Sequence, residues 1–213
     1  MTWSTSTVWD ATFSASWYSV AAGNPSVATL NANPGGANPS TSNPAIVVSA
    51  DTLPANTKTY FMIASSDGRN DDGVGLADVH ATDTITDTSS LAYAFSSIQG
   101  IYVNGVLATS AYQPNGAACV GIAVDTLAKL AWWRYYDSLN NAYWNGSSLA
   151  SPTTGVGGVD ISGLTFPIRA MACNRFTTTI LTLILQPPWC DATGSPFGGF
   201  GGQTNVSVIS CCS

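Results

Sequence analysis

The densest chemistry in the chain lies between Trp132 and Asn145: Trp132, Trp133, Tyr135, Tyr136, Asp137, Asn140, Asn141, Tyr143, Trp144 and Asn145. Aromatic faces stack on the C–H edges of sugar rings, and Asp and Asn side chains bond hydroxyls. A few placed polar groups beside aromatic surface are what a carbohydrate-binding loop needs. The ligand contacts expected here are Tyr135, Tyr136, Asp137, Asn141, Tyr143 and Trp144, on a loop running from Tyr135 to Trp144. Burying one aromatic in a ligand contributes ~1.5–3 kcal/mol. A site built on one or two of them binds weakly alone and gains strength by repetition. The same residues equally suit packing, either closing the end of a sandwich or filling an interface with a neighbouring subunit.

Asp67, Asp71 and Asp72, with Asn70, offer hard oxygen ligands in a Gly-bounded loop, the donor set calcium prefers. Their spacing is not that of an EF-hand, and a solvated hairpin loop whose side chains bond its own backbone uses the same residues. His80 is the single histidine, with Asp78 and Asp83 near it in sequence. Any acid–base scheme near neutral pH leans on it, but no Gly-x-Ser-x-Gly nucleophile motif accompanies it. Glycoside hydrolysis needs two carboxylates flanking the sugar, and twelve Asp residues cannot be paired from sequence. Five cysteines (Cys119, Cys173, Cys190, Cys211 and Cys212) lack Cys-x-x-Cys spacing, and one His supplies a zinc site poorly. Buried or unpaired thiols are the expectation, with Cys190 and a C-terminal cysteine the first disulfide to test. No metal and no cofactor is expected.

The elements that must position these residues are strands. Val120, Ile122 and Val124 alternate with Gly121, Ala123 and Asp125, a strand with one bulky and one small face. Asp125-Thr126 breaks the run, and Leu130, Trp132 and Arg134 restart it against Ala131, Trp133 and Tyr135. Two alternating runs with a short polar break predict an antiparallel hairpin, Cys119–Asp125 with Lys129–Arg134. One of Trp132 and Trp133 then faces the core and the other the opposite side.

Further strands are expected at Ala45–Ser49, Lys58–Ser65, Gly73–Val79, Ala92–Phe95, Gly100–Val103, Pro167–Ala172, Thr177–Leu185 and Asn205–Ile209. Asn104-Gly105 is a strong two-residue hairpin signal. Met1–Val20 reads as one or two strands. Gly23–Pro44, with its four Asn-Pro pairs, reads as a long irregular surface loop. Short strands spaced by turn signals predict a sandwich.

Several of these pieces, in this order, resemble the SPRY family. The Val124-Asp125 strand end followed by an aromatic strand is similar to that family's central hairpin. Lys58-Thr-Tyr60-Phe61, Gly73-Val74-Gly75-Leu76-Ala77 and Tyr102-Val103-Asn104-Gly105 resemble its earlier strands. Trp144-Asn145-Gly146, Pro152-Thr-Thr-Gly155, Gly157 to Leu164 and Phe166-Pro167 resemble its phage and bacterial branch. The match covers roughly Thr57 to Leu185. It implies an all-β, concanavalin A-like jelly-roll sandwich used for binding, usually without catalysis.

Composition narrows the partners. The chain has 213 residues, enough for one large all-β domain with a core of its own. Charged residues make up 8% against 45% hydrophobic, far below the roughly 25% charge of ordinary globular proteins. All twelve acids are Asp and only two lysines occur, so helix is a minor element. A net charge of −6 with four scattered arginines argues against nucleic acid. The start lacks a secretory pattern, and the most hydrophobic run, Ile180–Leu185, is far too short to span a bilayer.

The expected organisation is one domain. Residues 1–56 form N-terminal strands and an Asn-Pro-rich loop, 57–186 the SPRY-like core, and 187–213 a Gly-rich extension. The expected function is a non-catalytic structural protein of a phage virion (capsid decoration, head fibre or tail component), made in the host cytoplasm. Its expected partners are other virion proteins and copies of itself. A lectin-like module binding a cell-surface glycan or receptor is the alternative, and a glycan-cleaving enzyme the third.

Overall fold

The structure, a computed structural model, describes residues 7–13, 15–32, 45–66, 73–83, 88–95, 100–109, 119–136, 143–174 and 178–184. Thirteen strands occur among the described residues: β1 (Tyr18–Ala21), β2 (Asn24–Leu30), β3 (Ala45–Val48), β4 (Lys58–Ser65), β5 (Gly73–Ala77), β6 (Leu91–Phe95), β7 (Gly100–Val103), β8 (Val106–Thr109), β9 (Cys119–Asp125), β10 (Leu130–Tyr136), β11 (Val159–Asp160), β12 (Arg169–Asn174) and β13 (Ile180–Ile184). They form two antiparallel sheets, β1-β2-β13-β4-β9-β10-β11 and β3-β12-β5-β6-β7-β8. The chain is an all-β sandwich, as the alternation predicts.

The hairpin of β9 and β10 pairs from Asp125↔Leu130 to Cys119↔Tyr136. Its turn is made by Asp125, whose carboxylate accepts the N–H groups of Leu127 (3.1 Å) and Ala128 (2.8 Å). Val120, Ile122 and Val124 face the other sheet together with Trp133, while Cys119, Ala123 and Trp132 face outward. Both faces are nevertheless buried, so the two tryptophans sit in separate apolar clusters. Strand β4 divides the same way, with Phe61 and Ile63 inside and Tyr60 and Met62 outside. Trp133 reaches across the sandwich to donate its indole N–H to the Val74 carbonyl at 3.1 Å. Asn104 and Gly105 join β7 to β8 as a two-residue turn, both at positive φ (51° and 76°). That backbone is the one Asn-Gly favours in hairpins.

Two expectations need correcting. Asn24–Leu30 is not a surface loop but strand β2, between β1 and β13. Ala28 and Leu30 alternate into the core, and Pro25 precedes the stretch paired with β13 (Val27 to Thr29), so its missing N–H removes nothing from that ladder. Tyr135 and Tyr136 are not loop residues but the last two positions of β10, because β9 still offers Val120 and Cys119 as partners. Aromatic residues suit such a pleated surface.

The N-terminal part is integral to the sandwich. Trp9, Tyr18, Leu30 and Val47 belong to the inter-sheet core, and Trp9 donates its indole N–H to the Leu181 carbonyl at 3.2 Å. The strand expected at Asn205–Ile209, the 187–213 extension, and Cys190, Cys211 and Cys212 lie outside the described residues.

Candidate functional site

The segment from Tyr143 to Gly158 carries no charged residue and lies over the outer face of β4, β9 and β10. Its inner side contributes Trp144 and Ala150 to a cluster with Tyr60, Met62, Cys119, Ala123 and Trp132. Trp144 meets Tyr60 edge to face, with ring centroids 6.0 Å apart at 77°, an arrangement aromatic pairs favour. The segment is held by three polar anchors. Asn145, at φ 49°, gives its side-chain N–H groups to the carbonyls of Ala131 (3.2 Å) and Gly157 (2.8 Å) and accepts the Trp133 N–H at 2.8 Å. Trp132 donates its indole N–H to the Val156 carbonyl at 3.0 Å, and Lys58 donates to the Thr153 carbonyl at 3.4 Å. Gly158 is required by close approach, since a Cβ there would stand 2.6 Å from the Trp132 ring.

The outer side of the same segment shows Tyr143, Leu149 and Val156, which are 55%, 79% and 51% exposed. The expected ligand contacts therefore separate. Tyr143 is exposed and available. Trp144 is buried against Tyr60 and cannot act as a stacking platform, because the outer sheet face supplies it with apolar neighbours. Tyr135 and Tyr136 end β10, and Asp137 and Asn141 lie outside the described residues, as do Asp67, Asp71 and Asp72.

Ala64 pairs with Cys119 and Cys119 with Tyr136, so the strand ends that lead to 67–72, 110–118 and 137–142 share one row.

The histidine and its sequence neighbours do not form an acid–base set. His80 is exposed, and its backbone N–H is accepted by Asp78 at 2.8 Å. The other oxygen of the buried Asp78 carboxylate accepts the Thr165 N–H at 2.9 Å, tying the end of β5 to the turn before β12. Asp83 instead accepts the Trp17 indole N–H at 2.9 Å. Among the described residues no group of three or more His, Cys or Asp is placed to hold a metal. Cys119 and Cys173 are buried in the outer clusters of opposite sheets and are not joined to each other.

Sequence reasoning missed Leu149 and Val156 as surface groups and Asn145 as an anchor. The signal for Asn145 was present: Asn-Gly at the foot of an apolar sheet face supplies both a left-handed turn and a side chain able to mimic backbone.

No family model matches the chain. No curated protein matches it in sequence. Solved structures do. The SPRY domain of human HERC1 superposes with a TM-score of 0.56 at 9% identity, covering 83% of this chain and 93% of that domain. The TRIM65 PSpry domain gives 0.56 at 12% identity, covering 84% and 92%. The fold is that of a SPRY domain. Stonustoxin contains a similar unit, with a TM-score of 0.53 at 12% identity over 84% of this chain and 27% of the toxin chain. At these identities the likeness defines the SPRY architecture and leaves the work of the SPRY-like sandwich to its surface.

Proposed function

We propose that this chain is a non-catalytic binding sandwich that serves as a structural component of a bacteriophage particle, as a capsid decoration, head fibre or tail component. The observation that carries the reading is the outward face of the Tyr143–Gly158 segment, where Tyr143, Leu149 and Val156 stand exposed on sixteen residues without a charge. Exposed apolar residues grouped on one uncharged segment favour a protein partner, and charge at 8% of the chain leaves little repulsion between copies. The assignment to a phage rests on the resemblance of Trp144-Asn145-Gly146 and the Gly157–Leu164 stretch to the phage and bacterial SPRY branch.

The test has two arms. Mass spectrometry of purified particles from a producing culture should find the chain at a fixed ratio to the major capsid protein, and its absence overturns the virion role. Sedimentation of the purified chain should show an oligomer that Leu149→Asp with Val156→Asp dissociates. An oligomer unchanged by both substitutions removes this face from the interface. A second reading, attachment to a cell-surface glycan, is favoured by Tyr143 alone, as an exposed aromatic adjoining the amide-rich 137–142 stretch. Glycan-array binding abolished by Tyr143→Ala supports it, and an empty array rejects it.

A further inference from the structure

The described residues contain two Asn-Gly pairs with nearly the same backbone. Asn104 and Gly105 stand at φ 51° and 76°, and Asn145 and Gly146 at φ 49° and 70°. Sequence and φ are thus matched, and the pairs differ in what holds the asparagine side chain. The Asn145 carboxamide is buried and uses both ends, accepting one N–H and donating to two carbonyls. Asn104 sits half-buried at the exposed tip of the β7–β8 hairpin, and its side-chain oxygen is enclosed with no hydrogen-bond partner. Its amide nitrogen lies over Gly163, 2.6 Å from where a Cβ would stand. Gly105, with no side chain to shield its nitrogen, follows it on the exposed turn.

We infer that Asn104 is a site of spontaneous, base-promoted modification and that Asn145 is protected from the same reaction by its three bonds. The Gly105 backbone nitrogen, losing its proton, attacks the Asn104 side-chain carbonyl carbon. The new C–N bond closes a five-membered succinimide, and the side-chain nitrogen leaves as ammonia. Water then opens the ring at either carbonyl, giving aspartate or isoaspartate at position 104. Nothing is oxidised or reduced, and the only co-reactant is water. Either product puts a carboxylate on a hairpin tip that carried no charge. Isoaspartate also adds one carbon to the main chain of a two-residue loop whose length sets the Val103↔Val106 register.

The experiment is peptide mapping by mass spectrometry on the full folded chain, incubated at mildly alkaline and mildly acidic pH, with each Asn-Gly peptide read separately. A third pair, Asn115-Gly116, lies outside the described residues and is resolved as its own peptide. Each hydrogen bond that must open first slows the reaction by roughly two- to tenfold, so Asn145 should convert about a hundredfold more slowly than Asn104. Conversion should be faster at alkaline pH and produce a more acidic species on ion exchange. In denaturant the two sites should converge, because only the fold separates them. Equal rates in the folded chain overturn the inference. So does an Asn104 that stays intact in the folded chain while reacting in the unfolded one.

Discussion

The side-chain oxygen of Asn145 lies 2.8 Å from the backbone nitrogen of Trp133 and accepts its N–H. Strand β11 pairs with β10 only at Leu130 and Ala131, so beyond them this one side chain takes over the edge of β10. It continues the ladder as a strand would, with an acceptor for Trp133 and a donor for Ala131. Replacing Asn145 by Gly keeps the left-handed backbone free of strain and removes the three bonds, with the buried side-chain volume and the extra chain entropy of Gly adding to the loss. Urea denaturation should show a loss of ~2–4 kcal/mol. A loss below ~1 kcal/mol would mean that water replaces the side chain without penalty.

Trp132 and Trp133 should both be costly to truncate, although they point to opposite faces. Each is fully buried, so Trp132→Ala and Trp133→Ala should each destabilise by ~3–5 kcal/mol. The two can be told apart by limited proteolysis. Trp132→Ala removes the anchor to Val156 and should release the Tyr143–Gly158 segment before global unfolding, whereas Trp133→Ala acts on the inter-sheet core. Identical cleavage patterns in the two variants would contradict this division.

The acid limit of stability should involve Asp10. Burial alone pushes its pKa up, but the Thr12 hydroxyl, the Thr12 and Phe13 N–H groups and the Arg169 charge outweigh this and hold it below the usual carboxylate value. Arg169 stands 3.2 Å away. A depressed folded pKa means that the unfolded chain binds the proton first. The contribution is therefore present above the unfolded value, about 3.9, and is lost as pH falls through the folded one. Thermal melts of Asp10→Asn should be less stable than wild type near neutrality and should converge with it in strong acid. Parallel curves across the whole acid range would exclude Asp10.

At the alkaline limit the sensitive group is Tyr93. Burial first, then Cys173 and Tyr102, push its pKa up to about 12. Its ring stacks on Tyr102 with centroids 5.7 Å apart. Here the folded chain keeps the proton that the unfolded chain loses near pH ~10, so stability falls as pH rises through that window. Tyr93→Phe should flatten the decline, read by denaturant midpoints between neutral and alkaline pH. An unchanged slope would assign the decline to other groups.

Much of the sandwich was legible because alternation survives wherever the two faces of a strand differ in size. Val120, Ile122 and Val124 against Gly121 and Ala123 are such a case, and Asp125 marked the turn by its ability to bond the next two N–H groups. The local signal failed where tertiary context decided. Nothing within Asn24–Leu30 announces that β13 will arrive beside it, and an Asn-Pro pair at its start favours a loop. For the aromatic stretch, composition showed that Tyr143 and Trp144 matter but not which way each faces. Adjacent residues after a strand end point according to what covers the sheet, and the Tyr60–Met62 face drew Trp144 inward. Leu149 and Val156 escaped notice because isolated apolar residues among Ser, Thr and Gly have no periodicity to read.

Strand β13 lies between β2 and β4, and Trp9 finds its indole acceptor on Leu181, 172 residues further along. On a ribosome, the β1–β2 hairpin therefore emerges long before its neighbour in the sheet exists. Until Ile180–Ile184 has been made, β2 and β4 each present an open edge, the condition under which nascent chains stick to one another. Such distant pairing makes folding slow, since loop closure must precede any reward from contact. Synthesis of this chain thus calls for protection of its first strands until nearly the last described one has appeared.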